Sequence, residues 1–230
     1  QHLADLLATL CPASLARLHT YPWYENLAIP LLSQGPGDLS IASSVFADDT
    51  AANDIKLLQI QSDCLDVAHY NKMVAAVKNK ARVLFTATAG LIQNAFDRHG
   101  RDDLQIVVDR QGGRVHYRDA LLRMFPHTEL TILSETQRSS SYELRAHDRS
   151  MRIHFTVGAD NRFLPVALAS MASKYLRELL IARLNDYFRR LNPDLKPTAG
   201  YWTDGLRFMK DIQNLLPDPQ TSRKLLVRTR

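Results

Sequence analysis

The sequence predicts an α/β fold, helices layered around a sheet, on three observations. Short apolar runs of strand character alternate with longer segments of helical periodicity. One of those runs, Leu104 to Val108, is nearly all apolar and ends on a carboxylate followed closely by two glycines. The composition, 45% hydrophobic and 23% charged over 230 residues, is that of a globular chain long enough to bury a sizeable core.

Each element follows from the pattern in turn. Leu3, Leu6, Leu7 and Leu10 share one helical stripe, and Leu15 and Leu18 follow a break at Pro12. Tyr21 to Asp54 reads as irregular, because Pro22, Pro30, Gly35-Pro36-Gly37 and Asp48-Asp49 are turn formers. Ile55 to Gln61 (IKLLQIQ) is expected to be a strand. Val67–Val77 and Val83–Phe96 carry helical periodicity, with Asn79 between them as a cap. Leu104 to Val108 is expected to be a central strand covered on both faces. Gly112 and Gly113 then permit a sharp turn into a helix from Arg114 to Met124.

Leu130 to Leu133 is a second apolar run. Ser141–Ala146 and Met151–Val157 alternate apolar with polar around His147-Asp148-Arg149, which predicts a hairpin. A long helix is expected from Leu164 to Leu191, with Pro165 tolerated in its first turn and Asn192-Pro193 ending it. Leu164, Leu168, Met171, Tyr175 and Leu179 form its expected buried stripe. A last helix runs from Thr203 to Leu215. By this reading residues 1–53 are a helical and irregular segment, 54–216 the core and 217–230 a basic tail.

Composition also bounds function. The 29 basic residues exceed the 24 acidic ones by five, a balance that permits a polyanionic partner without requiring one. Cys11 and Cys64 are too few for a disulfide framework or a cysteine-built zinc site, which fits a reducing cytoplasm. No apolar run approaches the ~20 residues of a bilayer span, and residues 1–10 lack a signal-peptide pattern, so no membrane partner and a cytoplasmic location are expected. No GxSxG, Walker-type or GxGxxG loop occurs, and His69, His116 and His154 do not pair with carboxylates at metal-ligand spacing.

Several side chains remain as candidates. Asp109, at the C-terminal end of an apolar strand, occupies the usual ligand position of an open α/β sheet, and it equally suits a turn start. Asp160 in Gly158-Ala159-Asp160-Asn161 precedes the long helix, where a carboxylate also serves as a cap. Ser170, Lys174 and Arg177 share a helix face with Asp160, an arrangement suited to a metal-bound phosphate or to a solvated face with a salt link. Glu135 follows the run Leu130–Leu133 and is a third possible carboxylate, or a surface glutamate. Arg110, Arg114, Arg118, Arg207 and Lys210, with Tyr201 and Trp202, suit the flanks of a groove for a polyanion; contacts of that kind make binding salt-dependent.

Segments between Val107 and Leu180 resemble the type 2 ribonuclease H family. The matching pieces are VVD at Val107–Asp109, AD at Ala159–Asp160 and FLPVALASMASKYLREL at Phe163–Leu179, with Ala169-Ser170, Lys174 and Arg177 in the family's places. KPTAGYWTD at Lys196–Asp204 is similar to the family's HKGYxT segment, Thr198 standing where the family has His. VDRQGGR (Val108–Arg114) and SETQRSSSY (Ser134–Tyr142) resemble a divergent bacterial subgroup.

The resemblance implies a ribonuclease H-like layered fold, a central mixed sheet flanked by helices. It also implies hydrolysis of RNA in RNA–DNA hybrids with two Mg²⁺ or Mn²⁺ ions held by four carboxylates. By position Asp109 and Asp160 would be metal ligands, with Glu135 a possible further one, and Lys174 would approach the scissile phosphate. Ser170, Arg177 and Arg114 would bind substrate, and Tyr201 would pack on the sugar at the RNA–DNA junction. The family's first motif, a GxDEAGRG-like strand carrying the other two carboxylates, is absent between Gln1 and Arg230, and the region Ser134–Gly158 is longer than in ordinary members. The expectation is that the opening strands and their motif lie upstream, and that this chain alone is inactive; the rival expectation is a silent nucleic-acid-binding module.

Overall fold

A computed structural model of the chain describes residues 2–27, 31, 36–216 and 218–229. In chain order its elements are helices α1 (Leu3–Leu10), α2 (Pro12–Leu18), α3 (Pro36–Ala52), α4 (Val67–Val77) and α5 (Lys80–His99), strand β1 (Leu104–Asp109) and helix α6 (Arg118–Met124). Strands β2 (Glu129–Glu135), β3 (Ser139–Ala146) and β4 (Arg149–Thr156) follow, then helices α7 (Leu164–Leu191), α8 (Trp202–Asp211) and α9 (Pro219–Leu226). Short 3₁₀ turns occupy Pro22–Tyr24, Ala159–Asn161 and Gln213–Leu215. The chain is α/β, with one four-stranded mixed sheet. Among the described residues no helix is long and apolar enough to cross a membrane.

The chain divides into two compact units, Gln1–Cys64 with Tyr175–Ser222, and Leu65–Lys174 with Arg223–Arg230. One division falls inside α7, so the units do not follow the linear 1–53, 54–216 and 217–230 partition expected from composition.

The second unit holds the sheet, in the order β1-β4-β3-β2. β1 pairs parallel with β4, and the other neighbours are antiparallel. The register makes one face continuous: Val108 lies opposite Phe155 and Phe155 opposite Ser140, while Ile106, Ile153 and Tyr142 form the next row. Period-two alternation sends these side chains to one side, where Phe85, Ala89, Ile92 and Phe96 of α5 and Leu121 of α6 cover them. Asn79 caps α5 as expected, its Oδ1 accepting the Arg82 amide at 3.0 Å. The hairpin also forms as expected.

The opposite face carries Gln105, Val107 and Asp109 of β1, Arg152, His154 and Thr156 of β4, and Ser139, Ser141 and Glu143 of β3. β1 is therefore a half-buried edge strand, not the central strand its apolar run suggested. In the same unit the C-terminal segment is tied down. Asn71 Nδ2 donates to the carbonyls of Lys224 and Val227, and its Oδ1 accepts from the Thr229 amide at 2.7 Å.

The first unit is helical. Leu3, Leu7, Cys11, Leu18 and Leu27 pack with Leu176 and Leu179 of α7. Asp5 Oδ2 accepts the His2 amide at 2.9 Å and so closes the start of α1. Three expectations are corrected here. Ile55 to Gln61 forms no strand: among the described residues the unit contains no other strand to complete a ladder, and Leu57 and Leu58 stand exposed. The irregular reading of 21–54 fails over Pro36–Ala52, which is helical, since a proline in the first helical position starts a helix as readily as it ends one. Of the expected α7 stripe Leu179 is buried and Leu168 half-buried, but the buried face is otherwise different. Leu176, Leu179, Leu184 and Phe188 are buried, whereas Leu164, Met171 and Tyr175 are exposed.

Candidate functional site

Asp109 ends β1 on the polar face of the sheet, exposed, where its backbone partner is Thr156 of β4. The chain leaves β4 through Val157 and Gly158 into the turn Ala159–Asn161. Asp109 Oδ1 accepts the Ala159 amide at 3.0 Å, and Asp160 is the next residue. Although β2, β3 and β4 lie between them in sequence, Asp109 and the residue preceding Asp160 are thus joined through one amide-to-carboxylate hydrogen bond. Asp160 is exposed and stands ahead of the helix start at Leu164, so it is not the cap of α7.

The turn after Asp109 is built to a plan. Gly112 adopts φ +62°, a left-handed conformation that disfavours any residue with a Cβ. The Arg110 guanidinium donates to the carbonyls of Gln137 (2.6 Å) and Thr136 (3.0 Å), tying the end of β1 to the β2–β3 turn. Gln111 donates its amide to the Tyr117 hydroxyl at 3.1 Å and its side-chain Nε2 to Thr88 Oγ1 at 2.6 Å. Arg114 places its guanidinium carbon 5.3 Å from the Phe85 ring centre and 5.4 Å from that of Tyr117. It covers aromatic surface by cation–π contact.

Glu135 is not brought to the acid pair. It lies on β2, at the sheet edge opposite β1, and both carboxylate oxygens are engaged. The buried Tyr142 hydroxyl donates to Oε1, and His116 Nδ1 lies 2.7 Å from Oε2. These partners, Tyr142 foremost, hold its carboxyl below the usual glutamate range.

Ser170 and Lys174 lie on the α7 portion belonging to the second unit, half-buried and exposed respectively. Neither bonds to Asp109 or Asp160 among the described residues. A pocket of about 270 Å³ opens on the same sheet face, lined by Val107, Ser139, His154, Thr156, Arg162 and Phe163. His154 bridges Ser141 Oγ (2.9 Å) and Gln105 Oε1 (3.1 Å) across three strands, and burial and Arg152 lower its pKa.

Arg177 and Tyr201 belong to the first unit and meet there. The Arg177 guanidinium carbon lies 4.6 Å from the centre of the Tyr201 ring, and its NH2 donates to the Ala199 carbonyl at 2.5 Å. Tyr201 is 66% exposed, so the ring presents a flat surface to solvent. Gly200 precedes it at φ +71°, where an added Cβ would come within 2.8 Å of Ile181.

Asp204 fixes this segment. It accepts from the Thr198 hydroxyl at 2.5 Å, the Ala199 amide at 2.7 Å and the Arg207 guanidinium. Buried Asn185 completes the hold by donating to the Thr198 carbonyl and accepting its amide, both at 2.8 Å. Sequence reading missed this clamp; its trace was the spacing of Asp204 and Arg207 at three residues on α8.

Thr198 foremost, then Arg207 and the Ala199 amide, depress the Asp204 pKa to about 2. A depressed carboxylate adds stability above its unfolded pKa of ~3.9, and that contribution is lost as pH falls through the folded value. The Tm of the chain is therefore expected to drop as pH falls from about 4 toward 2, and less so for Asp204→Asn, in thermal melts at matched ionic strength.

A two-metal centre does not fit these residues. Among the described residues no group of three or more His, Cys, Asp and Glu comes together to hold a metal ion. Asp109 and Asp160, which follows the amide donor Ala159, are only two acids, and Asp109 already accepts that amide. The pair suits one edge of a Mg²⁺ or Mn²⁺ site, which needs further oxygen ligands from elsewhere. No family model, curated protein or solved structure matches the chain.

Proposed function

We propose that this chain is a ribonuclease H-like domain that binds RNA–DNA hybrids and contributes Asp109 and Asp160 to a carboxylate set for RNA hydrolysis, the chain alone being inactive. The observation that carries this reading is the hydrogen bond from the Ala159 amide to Asp109, which ties the residue next to Asp160 to the end of β1. Ligand chemistry in open α/β sheets gathers at carboxyl ends of strands. In the first unit, Tyr201 held against Arg177 offers the stacking surface that single nucleotides or sugars use. The excess of basic residues favours a polyanion.

A second reading, binding without hydrolysis, is favoured because among the described residues no group of three or more possible ligands gathers, at Asp109 or elsewhere. Both readings require hybrid binding. Only the first predicts Mg²⁺-dependent cleavage, abolished by Asp109→Asn, in the protein as the cell makes it.

Binding is tested by fluorescence anisotropy with a labelled RNA–DNA hybrid. With about four to six phosphate contacts, affinity should fall roughly 10²–10³-fold between about 50 and 200 mM KCl. Tyr201→Ala should weaken binding, and Asp160→Asn should tighten it without metal by removing a like charge from the phosphate path. No binding at the lower salt, or affinity indifferent to salt, would overturn the proposal.

A further inference from the structure

Two thiols that lie far apart in the sequence meet inside the first unit. Cys11 and Cys64 are 53 residues apart, and their sulfurs approach to 3.5 Å, with the Cys64 thiol donating to Cys11. Cys11 sits at the junction of α1 and α2, buried, its amide bonded to the Leu7 carbonyl. Cys64 is half-buried and ends a segment clamped to the same junction. Ser62 donates its amide to the Leu10 carbonyl at 2.7 Å, and Cys64 donates its own to Ser14 Oγ at 3.0 Å.

Arg17 completes the clamp by donating to Asp63 Oδ1 (3.2 Å) and to the Cys64 carbonyl (3.1 Å). Ser14, itself buried, donates to the same Asp63 oxygen at 3.1 Å. Both backbones are thus fixed by bonds that do not involve sulfur. A disulfide needs the sulfurs at about 2.0 Å, and the two side chains already bring them to 3.5 Å.

We propose that Cys11 and Cys64 form a thiol-oxidation site, closed to an intramolecular disulfide by a small-molecule disulfide such as oxidised glutathione. The half-buried Cys64 is the entry point. Its thiolate attacks one glutathione sulfur, forming a mixed disulfide and releasing one glutathione thiolate. Cys11 then loses its proton to solvent and attacks the Cys64 sulfur, which expels the second glutathione as a thiolate. Two protein thiols are oxidised by two electrons, and one glutathione disulfide is reduced to two thiols. The neighbouring thiol and burial push the Cys11 pKa up, so Cys11 resolves the intermediate and does not start the reaction.

Closure would join α1–α2 covalently to the chain at the end of Gln1–Cys64. The cross-link restricts the unfolded chain over a long loop, and the oxidised protein should melt higher than the reduced one by roughly 5–15 °C.

The folded chain is titrated with oxidised against reduced glutathione, and thiols are counted under denaturing conditions alongside intact mass. The expected result is loss of both thiols with no glutathione adduct, a raised Tm, and full reversal by reductant. Cys11→Ala should instead accumulate glutathione on Cys64 and gain no Tm. Wild-type chain that retains both thiols, stops at the mixed disulfide or cross-links between molecules would overturn the proposal, and that measurement stands even if the variant fails to fold. It is independent of the hydrolase reading.

Discussion

Replacing Phe155 by alanine is expected to destabilise the second unit by about 3–5 kcal/mol, the range for emptying a large aromatic site in a packed core. Phe155 is fully buried on β4, and its ring stacks on Tyr117 with centroids 3.6 Å apart and planes 3° from parallel. The Phe85 ring of α5 and the Tyr142 ring of β3 each lie 6.3 Å from it. The side chain therefore joins the sheet to a helix and to the turn that follows Asp109. Removing it leaves a cavity whose walls are held by other elements, so little collapse is available. Urea unfolding should show a reduced midpoint with a near-constant slope. A change below about 1 kcal/mol would mean that the site closes over the missing ring. Because Tyr117 also accepts the Gln111 amide, the acid corner should loosen as well, visible as faster amide exchange across 110–117.

The parts of this fold that were legible in the sequence are those in which one local signal has one structural outcome. Alternation in Ser141–Ala146 and Met151–Val157 specified both strands, whose buried face is fixed because a one-residue slip would invert every side chain. Asn79 announced its helix start. The bond from the Ala159 amide to Asp109, which ties the residue before Asp160 to the end of β1, has no local signature in the sequence. What stayed hidden depended on partners remote in sequence. The run Ile55–Gln61 has strand composition and, among the described residues, no strand to pair with. The edge position of β1 depends on which strands exist to flank it, not on its own apolar content. Glu135 looked like a possible third ligand because it follows a strand. Strand order then set it at the far edge, where Tyr142 and His116 take its oxygens. The Cys11–Cys64 approach was equally invisible, since counting cysteines says nothing of distance.

Tyr142→Phe isolates the polar part of the same core, because ring volume is kept and only one hydroxyl is lost. That hydroxyl donates to the Glu135 carboxylate and accepts the Tyr117 amide at 2.8 Å. The variant loses a hydrogen bond to a charged group and leaves a buried amide without its acceptor, together expected to cost about 2–4 kcal/mol near neutral pH. The pH dependence has a distinct shape. Burial and then the Glu135 bond raise the Tyr142 pKa to about 12, so its contribution is fully present below the unfolded value of ~10 and is lost as pH rises toward 12. Glu135 is depressed, so its contribution is present above ~4.3 and is lost as pH falls below that. The stability gap between wild type and variant should therefore be flat between about pH 5 and pH 9.5 and narrow at both ends. Chemical denaturation at a series of pH values reads this directly. A gap near zero at neutral pH would mean that the phenol contributes through packing alone, and the link from Glu135 through Tyr142 to the turn beside Asp109 would be broken.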